Sequence, residues 1–315
     1  MMSRLFLIAM AVLTFTGFAP GRLLAQQNTA ADMPIADLHF HPGQQGKTPV
    51  DVRDGFDRSG VRWFGLGSLG GPNVIPDFYR AFGDRLIIWA GQQGMDQILL
   101  KDGAGEIENP ANPDFKQLFT NLQDALAGKK IVGIGELFVN NRRSSSLASL
   151  RRKMVIDGPV IRSLFDVAAK YHGFVAFHME GDPDSVAQLE KLAASNLNGR
   201  IILNHCGVNL GPAELDRLFT EHPNLFCEFS VRYPPRRPPN GVFTEIFSGR
   251  AINPGWTDVI VKHADRFMVG TDAEGNNQDY IRSIQNVRSG LLTNLPIDVA
   301  RKVAYGNAKE LFGLR

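Results

Sequence analysis

The feature that most constrains the fold of this chain is an alternation of short apolar runs with longer amphipathic segments. Most of the runs are rich in Val, Ile, Leu and Phe, a pattern typical of parallel strands that are buried on both faces. The segments between them carry helical periodicity; residues 113–127, for example, place Leu118 and Leu122 near one helical face. Eight candidate strands follow from this pattern: 34–41, 61–67, 85–91, 131–138, 173–180, 200–206, 224–231 and 266–272.

Eight strands that alternate with helices predict an α/β protein with a (β/α)8 TIM barrel. An open, doubly wound sheet is the alternative, and the number of strands favours the barrel. The 315 residues are 43% hydrophobic and 21% charged, which excludes a disordered chain, a collagen-like chain and a small disulfide scaffold. We therefore expect a single barrel domain over residues 26–315.

Residues 1–25 have the pattern of a secretory signal peptide. Arg4 precedes an uncharged apolar run, LFLIAMAVLTFTGFA, and Ala25 lies at a suitable cleavage position. The run is shorter than the roughly 20 residues of a helix that spans a bilayer, and an uncleaved anchor is the alternative. We predict an exported protein, periplasmic or secreted, without stable membrane insertion after cleavage.

The charge balance limits the class of partner. Cleavage after residue 25 removes two arginines and no acid, so the mature chain carries 32 basic and 32 acidic side chains. A formally neutral chain offers little charge for binding a phosphate backbone, which argues against nucleic acid as a partner. The expected partner is a small-molecule substrate.

The two cysteines, Cys206 and Cys227, each lie inside an apolar run that is predicted to be a strand. A buried free cysteine behaves as a small hydrophobic residue, and the spacing of the two in the chain does not show that they meet. We favour two unpaired thiols, with a disulfide as the alternative.

Histidines and acids cluster at the carboxyl ends of the candidate strands, which converge on the catalytic mouth of a parallel barrel. On the first strand, side chains alternate, so His39 and His41 are predicted to share a face with Asp37, while Leu38 and Phe40 point toward the helices. The strand-end residues are His39, His41, Glu136, His178, His205 and Asp272.

Four imidazoles and two carboxylates form a donor set for divalent metal ions. Six donors exceed the need of one tetrahedral zinc and suffice for two ions that share Glu136 as a bridge. We predict one or two ions, with Zn preferred and Mn, Fe or Co as alternatives. Such ions lower the pKa of a bound water and polarise a carbonyl or phosphoryl oxygen, and Asp272 would accept the water's proton.

Candidate substrate contacts lie in the loops that follow two of the strands. Arg142 and Arg143 follow the fourth strand, and Arg232 and Tyr233 follow the seventh. Loops on this face of a barrel set specificity, and arginine binds carboxylate or phosphate with two parallel hydrogen bonds. The sequence therefore predicts a small anionic substrate.

The segments DLHFH, GIGELF, FHME, NHCG and GTDAEG, together with YGNAKELFGL near the end, resemble the amidohydrolase superfamily from Ile35 to Leu314. The resemblance implies a distorted barrel, a mono- or binuclear metal centre and a hydroxide nucleophile. It implies the following roles: His39 and His41 bind the first metal, His178 and His205 bind the second, Glu136 bridges them, and Asp272 binds metal and acts as the base.

Two branches of the superfamily share features with this chain. GIGELF is similar to the fourth strand of TatD-like hydrolases, whereas NLFCEFS and GNAKELFG are similar to the amidohydrolase-related branch, which includes decarboxylases with one metal. We expect a hydrolase that uses a metal-activated water to cleave an ester, lactone, amide or phosphoester bond. The alternatives are a metal-dependent non-oxidative decarboxylase and a non-catalytic barrel that binds metal or ligand.

Overall fold

A computed structural model describes residues 32–41, 48–67, 74–145, 147–230, 246–248, 251–273 and 277–315. Eight parallel strands in these ranges follow one another in sequential order around a single sheet. They are β1 (Ile35–Phe40), β2 (Val61–Leu66), β3 (Leu86–Gly91), β4 (Gly133–Asn140), β5 (Phe174–Met179), β6 (Arg200–Leu203), β7 (Leu225–Glu228) and β8 (Phe267–Met268).

The sheet closes on itself between its first and last strands. The backbone N–H of Leu38 donates to the carbonyl of Val269 at 2.9 Å, and that of His41 donates to the carbonyl of Ala273 at 3.0 Å. These bonds continue the pairing of β8 beyond its two regular residues. The prediction of a (β/α)8 barrel is confirmed.

Helices fill the connections between the strands, and several of them begin at a proline whose missing N–H costs nothing at the first helical position. At one of these starts, Asp182 caps the helix that begins at Pro183 by accepting a hydrogen bond from the N–H of Ser185. No helix in the described ranges is long and apolar enough to cross a membrane. The helices are α1 (Pro49–Ser59), α2 (Val74–Phe82), α3 (Gln92–Asp102), α4 (Pro113–Ala127), α5 (Pro159–Lys170), α6 (Pro183–Ser195), α7 (Pro212–Glu221), α8 (Pro254–Lys262), α9 (Asn277–Asn286), α10 (Ile297–Arg301) and α11 (Asn307–Phe312).

The apolar core has two parts. The larger part lies between the strands and the helices, and the smaller part gathers side chains from six of the strands inside the barrel. Trp89 belongs to the inner part, and its ring lies 5.4 Å from the ring of His39. The inner cluster therefore forms a packed floor beneath the histidines at the mouth.

The predicted side-chain directions on β1 are partly wrong. Leu38 packs in the inner cluster and does not face the helices, whereas the Asp37 carboxylate accepts a hydrogen bond from Tyr280 of α9. The register of β1 against β2 is irregular between Asp37 and Phe40, and such an irregularity reverses the simple alternation of side chains. Asp37 consequently does not share a face with His39 and His41.

The preference for unpaired cysteines is also wrong. Cys206 and Cys227 form a disulfide between the turn that follows β6 and the strand β7. Adjacent parallel strands bring the two residues side by side, because Leu203 of β6 pairs with Cys227 of β7. The spacing in the chain contains no information about this lateral register.

Candidate metal centre

The structure brings all six predicted strand-end residues to one place. In the first group, Nε2 of His39 lies 2.8 Å from Nε2 of His41. The carboxylate oxygen Oδ1 of Asp272 lies 2.9 Å from Nε2 of His41 and 3.4 Å from Nε2 of His39. Three donors from β1 and the end of β8 therefore converge on one point.

Glu136 joins this group to a second pair of histidines. Its oxygen Oε2 lies 3.4 Å from Nε2 of His39, while its other oxygen, Oε1, lies 3.1 Å from Nδ1 of His178 and 3.1 Å from Nε2 of His205. The ring nitrogens of His178 and His205 are themselves 3.1 Å apart. The two carboxylate oxygens thus face different histidine pairs.

These separations match the donor set of a metal centre. Four donors that surround an ion tetrahedrally at about 2.1 Å are about 3.4 Å from one another. The donor pairs described above are separated by 2.8 to 3.4 Å. The residues therefore fit one ion at each histidine pair, with Glu136 between them.

The outer nitrogens of three histidines are held by hydrogen bonds, which leaves the inner nitrogens facing the centre. Nδ1 of His39 contacts the carboxylate of Glu228 at 3.0 Å, and Nδ1 of His205 contacts Oγ of Ser230 at 2.7 Å. Nε2 of His178 contacts Oγ of Ser144 at 2.8 Å. Outer contacts of this kind fix the tautomer and the ring orientation of metal-binding histidines.

Sequence reasoning missed Glu228, Ser230 and Ser144. For Glu228 a signal was present, because an acid inside the apolar strand β7 must find polar partners if it is buried. It is 1% exposed and pairs with Met268 of β8, and a Cβ at Gly270, two residues after this strand, would collide with its Oε2. A side chain at position 270 would therefore displace this carboxylate from its place beside His39.

Two of the site residues have backbone conformations that are unfavourable for any residue with a side chain. His205 has a φ of 58° and Asp272 has a φ of 52°. The left-handed turn at His205 follows the end of β6 at Leu203, three residues before the predicted strand end at 206. Strained residues of this kind persist where the surrounding structure holds them, and they cluster at functional sites.

Burial and charge act in opposite directions on the ionisable groups of the site. Burial alone would raise the pKa of Glu136, but the charge of His39 and the hydrogen bonds from His178 and His205 outweigh it and hold the pKa well below its usual range. For His39, burial lowers the pKa, but the carboxylates of Glu136 and Asp272 outweigh it and raise the pKa well above its usual value. The carboxylates at the site are therefore anionic, which suits the binding of a metal cation.

Asp37 contributes to the site through the backbone of β1. Its carboxylate accepts hydrogen bonds from the N–H of His39 at 3.2 Å, from Oγ1 of Thr271 at 2.7 Å and from the hydroxyl of Tyr280 at 2.9 Å. Burial raises the pKa of Asp37 to about 6. Asp37 orients no imidazole ring; it ties β1 to the end of β8 and to α9.

The predicted substrate contacts divide between described and undescribed residues. Arg143 follows β4, and its Nε donates to Glu180 at 3.0 Å, while Ser144 of the same loop reaches His178. Arg142 is exposed in this loop. Arg232 and Tyr233 lie outside the described residues.

Comparisons with known proteins add a family and a set of related folds. A family model described as amidohydrolase matches residues 105–314, more than half of the chain. No curated protein matches the chain.

Among solved structures, the chain is similar to an uncharacterised TIM-barrel protein of Bordetella bronchiseptica, at 12% identity and a TM-score of 0.54 over 90% of this chain and 99% of that one. A structure described as a probable 2-pyrone-4,6-dicarboxylic acid hydrolase of Acinetobacter baumannii, with citric acid bound, is 13% identical, with a TM-score of 0.52 over 89% of this chain and 100% of that one. A 5-carboxyvanillate decarboxylase of Sphingomonas paucimobilis is 14% identical, with a TM-score of 0.49 over 90% and 100%. At these identities, scores above 0.5 show a shared barrel fold.

Proposed function

The chain belongs to the amidohydrolase family, and on this premise we propose that it is a metal-dependent enzyme that acts on a small anionic substrate. The observation that carries the proposal is the position of Glu136, whose two carboxylate oxygens face two different histidine pairs. The match to the amidohydrolase family model confirms the sequence resemblance, while the TatD-like branch stays a prediction.

The proposed ligand roles follow the geometry. His39 and His41 would hold one ion with Asp272, and His178 and His205 would hold a second, with Glu136 between them. The proposed metal is Zn, because neutral imidazole suits it, and Mn, Fe or Co also accept mixed imidazole and carboxylate donors. A bound divalent ion would supply an activated water and polarise a substrate oxygen.

Hydrolysis is one proposed reaction. Asp272 is 25% exposed, whereas the side chains of His39 and Glu136 are 0% and 3% exposed. Asp272 is therefore placed to accept a proton from a water that attacks the substrate. The dicarboxylic acid in the name of one related structure, and the citric acid bound to it, support a small carboxylated substrate.

Decarboxylation has equal standing as a second candidate, favoured by the burial of the site. The nearly complete burial of His39, Glu136 and His205 means that a substrate carboxylate beside them would lose its water shell. A desolvated carboxylate is destabilised relative to a transition state with dispersed charge. The bond to the carboxyl carbon would break, carbon dioxide would leave, and the remaining carbon would take up a proton.

Metal content tests the proposal. We expect one or two divalent ions per chain by mass spectrometry when the protein is purified without added metal or chelator. The double variant His39→Ala/His41→Ala should lose at least one ion, whereas His263→Ala, which changes a histidine that contacts Asp216 outside the site, should keep the wild-type content. A wild-type protein that takes up no metal after exposure to Zn²⁺ or Mn²⁺ would overturn the proposal.

A product assay on lactones, esters and aromatic carboxylic acids separates the two reactions. Carbon dioxide release that requires the metal would establish decarboxylation, and release of an acid with uptake of one water would establish hydrolysis. Absence of any turnover by metal-loaded protein across these substrates would instead favour the non-catalytic barrel.

We propose Arg142, Arg143, Arg232 and Tyr233 as contacts for the substrate anion. Arg143 already forms an ion pair with Glu180. A substitution of the exposed Arg142 on the same loop is therefore the clearer test of substrate binding. Arg142→Ala should raise KM for an anionic substrate with little change in kcat; an unchanged KM would remove Arg142 from the set.

We also propose that residues 1–25 are cleaved and that the mature protein works in an oxidising compartment, in the periplasm or outside the cell. The disulfide between Cys206 and Cys227 supports this, because disulfides persist mainly in exported proteins. An N-terminus at residue 26 in protein recovered outside the cytoplasm is the expected result; an intact N-terminus on cytoplasmic protein would contradict it.

A further inference from the structure

The disulfide between Cys206 and Cys227 lies directly beside the candidate metal centre. Cys206 follows His205 in the chain, and Cys227 precedes Glu228. Both cysteines are fully buried. The bond therefore joins two chain segments at the points where each supplies a residue to the site.

The turn that carries His205 needs an external constraint. His205 and Cys206 have φ values of 58° and 48°, both in the left-handed region, which is unfavourable for residues other than glycine. Two consecutive residues in this region persist only where their surroundings hold them. The disulfide is a direct covalent constraint on the second of the two.

The segment on the other side of the disulfide orients one imidazole from each histidine pair. The Glu228 carboxylate accepts from the backbone N–H of His205 at 3.0 Å and contacts Nδ1 of His39 at 3.0 Å. The hydroxyl of Ser230 donates to Glu228 at 2.8 Å and lies 2.7 Å from Nδ1 of His205. The position of Cys227 relative to Cys206 thus governs both His39 and His205.

We propose that the Cys206–Cys227 disulfide is a positioning element of the metal centre, which keeps the His205 turn and the Glu228 segment in the register that aims His39 and His205 inward. This inference rests on the proposed metal-dependent function. It predicts that a protein without the disulfide binds metal more weakly even where the barrel stays folded. Loss of outer support for metal-binding histidines typically costs about 10- to 100-fold in affinity.

The first test compares Cys206→Ala/Cys227→Ala with the wild type in the affinity for Zn²⁺ and for Mn²⁺, measured by competition with a chromophoric chelator. We expect the double variant to bind about 10- to 100-fold more weakly. The matched control is Leu218→Ala, because Leu218 is fully buried in α7, which connects β6 to β7, and is not among the site residues. It should lower the melting temperature and leave the affinity unchanged.

The outcomes separate positioning from general stability. A weaker affinity in the cysteine variant alone supports the inference. Unchanged affinity in that variant, or an equal loss in Leu218→Ala, overturns it. If the wild type binds metal and the cysteine variant binds it with equal affinity, only this inference is overturned. If the wild type binds no metal, the proposed function is overturned as well.

A second measurement covers the case in which the double variant does not fold. The wild-type holoprotein is treated with tris(2-carboxyethyl)phosphine in water. The phosphine supplies two electrons and becomes the phosphine oxide by taking the oxygen of one water molecule, and the two protons of that water complete the two thiols. Free thiols, released metal and the near-ultraviolet circular dichroism are followed together. Metal release that accompanies the thiols while the dichroism stays native supports positioning; metal retained by reduced protein, or released only on unfolding, overturns it.

Discussion

At the scale of single residues, the contact made by the outer nitrogen of His39 sets the direction of its inner nitrogen. His39 is fully buried, and its Nδ1 faces the Glu228 carboxylate, so its Nε2 is directed toward His41, Glu136 and Asp272. Although burial alone would raise the pKa of Glu228, its hydrogen bonds and the neighbouring histidines hold that pKa below its usual value. An anion at this position can accept a hydrogen bond from the Nδ1–H of His39 at neutral pH.

Glu228→Gln tests this pairing. An amide in place of the carboxylate removes the negative charge and one acceptor oxygen beside His39, and we expect about 10- to 100-fold weaker metal binding. Chelator competition with Zn²⁺ measures it. Glu214→Gln, which changes an acid that pairs with Arg217 on α7 outside the barrel, serves as the control and should keep wild-type affinity. Equal affinities in all three proteins would show that Glu228 does not orient His39.

At the scale of elements, the connection between β4 and β5 is tied to the start of α6 through Asp182. The carboxylate accepts from Lys153 Nζ at 2.9 Å, from Asn140 Nδ2 at 2.6 Å and from the N–H of Ser185 at 3.1 Å. Burial opposes the shift, but the hydrogen bonds from Lys153 and Ser185 and the charge of Lys153 lower the pKa of Asp182 to about 2. One cap therefore holds a helix, a strand end and the loop that carries Ser144.

Asp182→Ala should lower the free energy of unfolding by about 1 to 2 kcal/mol near neutral pH, the usual cost of losing a helix N-cap. Because the folded pKa lies below the unfolded value of about 3.9, the contribution is present above pH 4 and is lost as the pH falls toward 2. Urea unfolding at several pH values measures it. The difference in unfolding free energy between the variant and the wild type should shrink in acid. A difference that stays constant with pH would show that the charge of Asp182 does not contribute.

At the scale of the whole molecule, the barrel brings together ligands that are distant in the chain, so metal binding and folding are coupled. His39 and Asp272 come from the first and last strands and meet only when the barrel closes through the bonds from β1 to the residues after β8. The unfolded chain has no such cluster. A bound metal therefore stabilises the closed barrel by mass action.

Removal of metal should lower the melting temperature by several degrees. A ligand at 100 times its dissociation constant stabilises the folded state by about 2.7 kcal/mol. Differential scanning calorimetry with and without a chelator measures the shift, and adding Zn²⁺ should reverse it. His39→Ala/His41→Ala should show a smaller response; the same response in that variant would place the stabilising metal elsewhere.

Local patterns in the chain were enough to establish the barrel and to identify the six strand-end residues. Apolar runs and helical periodicity depend on neighbours in sequence, and the carboxyl ends of parallel strands share one face, so His39, Glu136 and His205 could be assigned to the mouth. The roles of these residues as metal ligands stay a prediction.

The folded structure settled what depends on lateral register between strands. The irregularity in β1 turned Leu38 inward and Asp37 toward α9, against the simple alternation. The pairing of β6 with β7 placed Cys227 beside Cys206 and brought the Glu228 carboxylate to His39, which lies 189 residues away in the chain. Periodicity along one strand does not contain these contacts, because they arise from how neighbouring strands are aligned.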